Sequence, residues 1–385
     1  MNPAKTIDLE FNSKYANLGK GKELRDGLSV ALQVGNTLWV ANDESVSLER
    51  LTLIKDGSKY KYGLHMQFFL GDFLKLPAAT PRDPADLEEV DIEGLDYEDG
   101  YIWLVGSHSL KRTNPMLEDG IKRAHKQLAK ISTDGNRYLL ARIPLVEVNG
   151  SFTLMKEDAQ NGKKRTAAQL HGSAQSNDLT EALKRDKHLK SFLSIPGKDN
   201  GFDIEGMIVV GKRILLGLRG PVLRGWAVIL EIEIEEDVKN PTMLRLKPIG
   251  PKKRLYRKHF LQLGGLGIRD LCVQGQDILI LAGPTLEIDG PITIFRWKDG
   301  LNTSKKECLV AADKLAHVVD VPFGQGVDHA EGITLFSKDE STPQSLLIVY
   351  DSASESRQLK ESTMVADIMQ LPKSSKLKKS ESSHS

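Results

Sequence analysis

Apolar residues in this chain come in short runs separated by polar turns, and one pair of runs recurs along its length. After Gly201, Asp203 and Glu205 precede Met207-Ile208-Val209-Val210, Gly211-Lys212 marks a tight turn, and Ile214-Leu215-Leu216 runs back toward Arg219 and Gly220. Two such runs joined by two residues predict an antiparallel hairpin, which brings Asp203, Glu205, Arg219 and Arg224 to one rim. The same pattern follows Glu93-Gly94-Leu95, Arg269-Asp270-Leu271 and Glu331-Gly332-Ile333, and more weakly Ser29-Val30-Ala31. With Val30, Glu93, Glu205, Arg269 and Glu331 as equivalents, the separations are 63, 112, 64 and 62 residues, a fixed period with one long interval.

Two further strand-like runs follow each hairpin, for example residues 226–233 and 243–247. Four strands per unit predict an all-β fold, a β-propeller of five blades, or six if the long interval hides strands such as Phe152-Thr153-Leu154. The last unit lacks a fourth strand, and Thr6-Ile7-Asp8-Leu9-Glu10-Phe11 is expected to supply it, closing the ring and removing two exposed edges. The expected organisation is one propeller domain over 1–371, an insertion at about 156–196, and a disordered Ser/Lys-rich tail over 372–385. Within the insertion, Asp178-Leu179-Thr180-Glu181 reads as a capping box, and Leu179, Ala182, Leu183, Leu189 and Leu193 share one helical face. The basic residues 122–130 read as a loop or short helix with a solvated surface.

Composition narrows the functional classes. The formal charge of +1 provides no global field for nucleic acid or an anionic membrane. No apolar run approaches the roughly 20 residues that span a bilayer, and the N-terminal residues lack an apolar core of the secretory kind, so the expected location is cytoplasmic. Cys272 and Cys308, in apolar settings, read as buried or half-buried thiols in a reducing compartment rather than a disulfide or zinc site.

The candidate chemistry lies at the polar ends of the repeated hairpins. If first strands line an axis, Glu93, Glu205, Asp270, His329 and Glu331 converge as candidate proton-handling groups, with Arg219, Arg224, Arg269 and His108 as candidate ligand-binding groups. Glu93, Glu205 and Glu331 are the candidate metal ligands, for Ca²⁺ or Mg²⁺. A repeated carboxylate can equally accept backbone N–H groups of a neighbouring unit and hold two units together, a structural duty. His329, found in one unit only, is as well explained by a structural hydrogen bond as by a general base. The chain has no Gly-x-Ser-x-Gly, His-Glu-x-x-His, P-loop or Cys-x-x-Cys motif.

The runs DIEGLDYEDGYIWLVGSHS, KDNGFDIEGMIVVGKRILLGLRGPVLRGWA, YRKHFLQLGGLGIRDLCVQGQDILILAGPT and PFGQGVDHAEGI resemble a bacterial, largely cyanobacterial family known as domain of unknown function 3616. The likeness covers nearly the whole chain and implies no activity. The Glu-Gly strand starts are also loosely similar to lactonase and phytase-like propellers, which implies carboxylates holding a divalent cation that polarises an ester, lactone or phosphate. Two readings follow. In one, the axial pocket is a hydrolase or binding site for a small anionic ester, lactone or phosphoester. In the other, the ring is a non-catalytic platform for a protein partner, its axial charges a structural salt-bridge network. The sequence leaves the oligomeric state open.

Overall fold

The computed structural model describes residues 5–19, 22–57, 59–78, 88–159, 162, 164–302, 306–338, 345–360 and 362–372. The expected tail beyond 372 lies outside them. The repeated hairpins form as read: Ile92–Glu98 with Tyr101–Gly106, Asp203–Val210 with Arg213–Leu223, Gly267–Gln274 with Asp277–Gly283, His329–Phe336 with Ser345–Asp351, and Leu28–Val34 with Thr37–Asn42. The fold is all-β and propeller-like. The first strands of these hairpins pack side by side in a closed cycle, Leu28–Val34 against Ile92–Glu98, then Asp203–Val210, Gly267–Gln274, His329–Phe336, and back to Leu28–Val34.

Outer strands complete each hairpin. Strand Lys5–Glu10 pairs antiparallel with Thr363–Gln370, Leu9 opposite Met364, so the first strand joins the last unit. It also runs parallel to Lys59–Phe69, linking that unit to the first. Ala168–Leu170, from the long interval, pairs with Leu140–Val148 and runs parallel to Asn240–Leu246, while Ser151–Leu154 folds back on Leu140–Val148. Ser151–Leu154 and Ala168–Leu170 therefore extend an existing sheet, while Glu157–Asp158 and Arg165–Thr166 pair with each other. Apolar faces of neighbouring sheets pack together, with Leu38, Leu51, Tyr62 and Leu346 among the fully buried side chains.

Each inner strand carries a β-bulge near its start, at Ser29, Glu93, Glu205-Gly206, Arg269 and Glu331. A bulged residue leaves the ladder and is re-aimed, which is how one residue per unit is presented to the axis. Ser29, rather than Val30, is thus the first unit's equivalent of the glutamates. The glycine after each glutamate has a packing reason. A Cβ on Gly94 would stand 2.8 Å from Met207 Cβ, and one on Gly332 would stand 2.8 Å from Val30 Cα. Gly206 has φ +90° and would bring a Cβ to 2.8 Å from Asp270 Cα. Inner strands crowd where the ring is narrowest, and glycine lets them approach.

The helix in the long interval is shorter than its apolar spacing predicts, Asp178–Leu183, and its cap is Asn177 rather than Asp178. Asn177 Oδ1 accepts from the N–H groups of Leu179 and Thr180, and Thr180 Oγ1 accepts from the Asn177 N–H. Leu179, Leu183 and Leu189 are buried against the adjoining sheet. The basic stretch 122–130 is largely the helix Ile121–Ala129. Among the described residues no helix is long and apolar enough to cross a membrane.

Candidate functional site

At one end of the inner strands lies a cavity of about 530 Å³ lined by Asp43, Asp91, Glu93, Asp203, Glu205, Arg219, Glu331 and Asp351, with Arg137 and Lys198. Its glutamates come from the bulges, Asp91 and Asp203 from the residues just before them, and Asp43, Arg219 and Asp351 from the ends of the second strands or just beyond. A second cavity of about 370 Å³ opens beside it and shares Lys198, Arg219, Glu331 and Asp351, adding Arg269, Asp289 and His329.

Each arginine is already held by the protein. Arg219 donates from Nη1 to Glu205 Oε1 at 3.0 Å and lies 4.0 Å from Asp203. Arg269 reaches Glu331 and stands 3.5 Å from Glu205 Oε2. Arg137 pairs with Asp91 at 2.8 Å and with Glu89, and donates to Ser109 Oγ at 2.9 Å. The outer cations are engaged too: Lys22 by Glu44, Lys111 by Glu89 and Asp134, Arg112 by Asp199, and Lys198 by Glu287. Among the described residues Asp43, Glu93 and Asp351 have no cation partner, and Asp351 uses Oδ1 only to accept the N–H of Ser352.

Crowding of like charge shows in the proton affinities. Burial, and then the charges of Asp351 and Asp91, hold the Asp43 carboxyl well above the usual range. Burial, then Asp91 and Glu205, do the same for Glu93. Asp203 is pushed up to about 8, by burial first and by Glu205 next, with Arg219 opposing. Glu205 and Glu331 are also raised by burial, while Arg269 and Arg219 pull the other way. The cavity therefore holds carboxyls that bind a proton more tightly than usual, some of them paired with arginine.

The structure brings Glu93, Glu205, Glu331, Arg219 and Arg269 together and places His329 at the edge of the second cavity, its Nε2 3.1 Å from Asp289 Oδ1. It removes three expected residues from the site. Asp270 is buried and accepts from the N–H groups of Leu271 and Ile333, both at 2.7 Å, clamping one inner strand to the next. Asp96 performs the same duty toward Val209 N–H at 2.6 Å, so the structural role considered for the glutamates belongs to these aspartates. His108 is buried away from both cavities, its Nδ1 2.7 Å from Gly106 O and its Nε2 2.6 Å from Asn177 Nδ2. The carbonyl only accepts and the amide nitrogen only donates, so the proton is on Nδ1, and burial lowers the ring's pKa to about 4. Arg224 sits exposed in the turn between Leu223 and Gly225 and lines neither cavity.

The Ca²⁺ or Mg²⁺ expectation rests on how the carboxylates are grouped. Among the described residues no three His, Cys, Asp or Glu side chains are gathered closely enough to hold one ion. Glu205 and Glu331 lean instead on arginine. Arg137, which sequence reasoning missed, comes from the 3-10 turn Gly135–Tyr138 outside the repeat pattern. No periodicity marks it. Its one signal is an isolated arginine in a polar turn, which does not distinguish it from a surface residue.

The family described as Protein of unknown function (DUF3616) matches residues 27–367. Curated proteins show no match. Similar solved structures include glutaminyl cyclase from Myxococcus xanthus, 8% identical over 96% of this chain and 97% of that one, with a TM-score of 0.35. Another, described as an oxidoreductase (glucose dehydrogenase) of Thermus thermophilus, is 9% identical over 95% and 100% of the two chains, TM-score 0.33. A third, described as a 6-phosphogluconolactonase of Bacteroides fragilis, is 11% identical over 90% and 88%, TM-score 0.29. At these scores the likeness bears on neither activity nor residue roles.

Proposed function

The chain belongs to the family described as Protein of unknown function (DUF3616), and from its own residues we propose that it is a five-bladed propeller whose axial cavity binds a small polar molecule, neutral or cationic. The cycle of inner strands supports the blade count, each larger sheet being two blades joined at their outer edges. The observation that carries the ligand class is the charge arrangement. Among the described residues every lysine and arginine lining the larger cavity is spent on a protein carboxylate, whereas Asp43, Glu93 and Asp351 have no cation partner. An anionic ester or phosphoester would meet this surplus of carboxyl groups; an ammonium group or a cluster of hydroxyl donors would satisfy it. The volume of about 530 Å³ suits a molecule of that kind.

A protonated Asp43 beside Asp351 also has the makings of an acid–base pair for a neutral ester or lactone, an acid with raised pKa donating to the leaving oxygen. The test is a thermal-shift series on the full chain with putrescine, choline, glucose, gluconolactone, citrate and phosphate. Stabilisation by amine or hydroxyl probes, lost in Glu93→Gln, is the expected result. Stabilisation by citrate or phosphate alone sinks the reading.

A platform reading has one observation of its own. Met116, Leu117, Ile121 and Leu128 are exposed on a single segment, and Leu128 also touches the cavity rim. The insertion helix is a weaker platform, since Leu179 and Leu183 are buried. Under this reading, Leu117→Ser with Ile121→Ser abolishes partner recovery while small-molecule binding persists.

A further inference from the structure

A second constellation of reactive groups lies far out on the third unit, with no residue in common with the axial cavities. His259, fully buried on strand Tyr256–Leu261, has its Nε2 2.9 Å from Glu231 Oε2. The other oxygen of Glu231 accepts from Arg257 at 2.8 Å and Arg213 at 3.0 Å. A carboxylate held by two arginines only accepts, so the imidazole proton is on Nε2 and Nδ1 offers a lone pair. That nitrogen faces the Cys308 sulfur at 3.0 Å. Cys308 is half-buried, on strand Cys308–Val310, which runs parallel to the histidine strand.

The first unit provides an internal comparison. There His65 makes the corresponding contact to Glu49, at 2.6 Å, and its Nδ1 accepts the backbone N–H of Asn12 at 3.0 Å. An amide N–H does not give up its proton. In the third unit a thiol stands in that place, and a thiol does. The Glu–His pair is thus a repeated packing device to which this unit adds an ionisable nucleophile.

We infer that Cys308, with His259 as proton acceptor and Glu231 as the group that orients it, is a redox-reactive thiol and the site of reversible oxidation by hydroperoxides. The step balances: the Sγ proton passes to His259 Nδ1, the thiolate attacks one peroxide oxygen, the O–O bond breaks, and the imidazolium returns its proton to the departing oxygen. Cysteine sulfenic acid and water, or an alcohol, are the products. Glu231 and His259 act as positioning and proton-holding groups; only Cys308 is attacked.

Unassisted, this thiol would be inert. Burial and the Glu231 charge push it up to about 11. The charged or titratable groups facing the pair are Glu231, Arg213, Arg257 and neighbouring Glu307, which accepts the Lys258 N–H at 3.1 Å. Proton transfer to His259 is what would open a thiolate route near neutral pH.

The experiment follows iodoacetamide alkylation of Cys308 by peptide mass spectrometry from pH 6 to 10 in the Cys272→Ser chain, folded and in urea. The expected result is a folded-state rate at pH 7 at least about tenfold above the unfolded-state rate, lost in Glu231→Gln and His259→Gln, with a dimedone adduct on Cys308 after peroxide. Where either variant melts early, the folded-to-unfolded ratio of the parent chain decides by itself. A folded-state rate below the unfolded rate, climbing tenfold per pH unit toward pH 10, would show a structural pair like Glu49 and His65 and overturn the proposal.

Discussion

Glu205 and Arg269 occupy equivalent bulges in adjacent units, and the guanidinium of one lies 3.5 Å from the carboxylate of the other. The departure from the repeated glutamate is therefore the source of the axial ion pair. Arg269 also serves Glu331, so its loss strands that carboxylate and leaves Glu205 with Arg219 alone. Arg269→Ala should cost about 3–5 kcal/mol near pH 8, measured by urea unfolding. The cost should shrink at pH 5, where protonated carboxyls no longer need the cation. Arg269→Lys should recover part of it.

The raised carboxyls set a pH dependence of definite sign. Asp203 binds its proton with a pKa of about 8 when folded, against an ordinary value of 3.8. Between those values the folded chain holds a proton that the unfolded chain has released, so this group's contribution is full below about pH 4 and is lost as pH rises through about 8. Asp203→Asn should therefore flatten the decline of the melting temperature between about pH 4 and 8. An unchanged slope would count against a protonated Asp203.

Asp270 is predicted to matter for stability alone. Asp270→Ala leaves the Ile333 N–H without its acceptor and should cost about 1–3 kcal/mol. Ligand-induced thermal shifts should survive, whereas Glu93→Gln should remove the shift with little change in stability. Comparing the two variants in one ligand titration separates the clamp from the site.

His108 ties Asn177, the cap of the insertion helix, to Gly106 at the end of an inner-unit strand. His108→Ala should cost about 1–3 kcal/mol by leaving one of the two Asn177 amide N–H groups without an acceptor, the other reaching Tyr138 O, and should expose the 171–196 region to protease first. Its pKa of about 4 lies below the ordinary 6.5, so its contribution is present above pH 6.5 and is lost as pH falls toward 4. Imidazole signals that titrate normally near pH 6.5 would refute the buried, neutral assignment.

Much of the architecture was legible in the chain because it rests on local rules. Alternation with period two, Gly-containing turns and a recurring interval specify hairpins without knowledge of what packs on them. The same reasoning placed the run Thr6–Phe11, whose strand is Lys5–Glu10, beside the last strand, since an unpaired edge needs a partner. It also brought Glu93, Glu205, Arg219, Arg269 and Glu331 to one rim. Ser29 was mistaken for its neighbour Val30 because a bulge shifts register by one residue, and no composition signal marks that in the weakest repeat.

What the tertiary structure alone decided is what each polar group faces. Glu93 and Asp270 read alike as carboxyls at strand starts. One has open cavity before it, and the other has the N–H of Ile333, 63 residues away. Arg137 enters the site from a turn with no periodic signature, and His108 leaves it because Asn177 caps a helix 69 residues further on. Hydrogen-bond and charge energies depend on distance and burial, which are set by chain segments remote in sequence. The order of residues thus determined the strands and the axis on which they converge. Their packing determined which carboxyls are spent on holding the ring and which line the cavity.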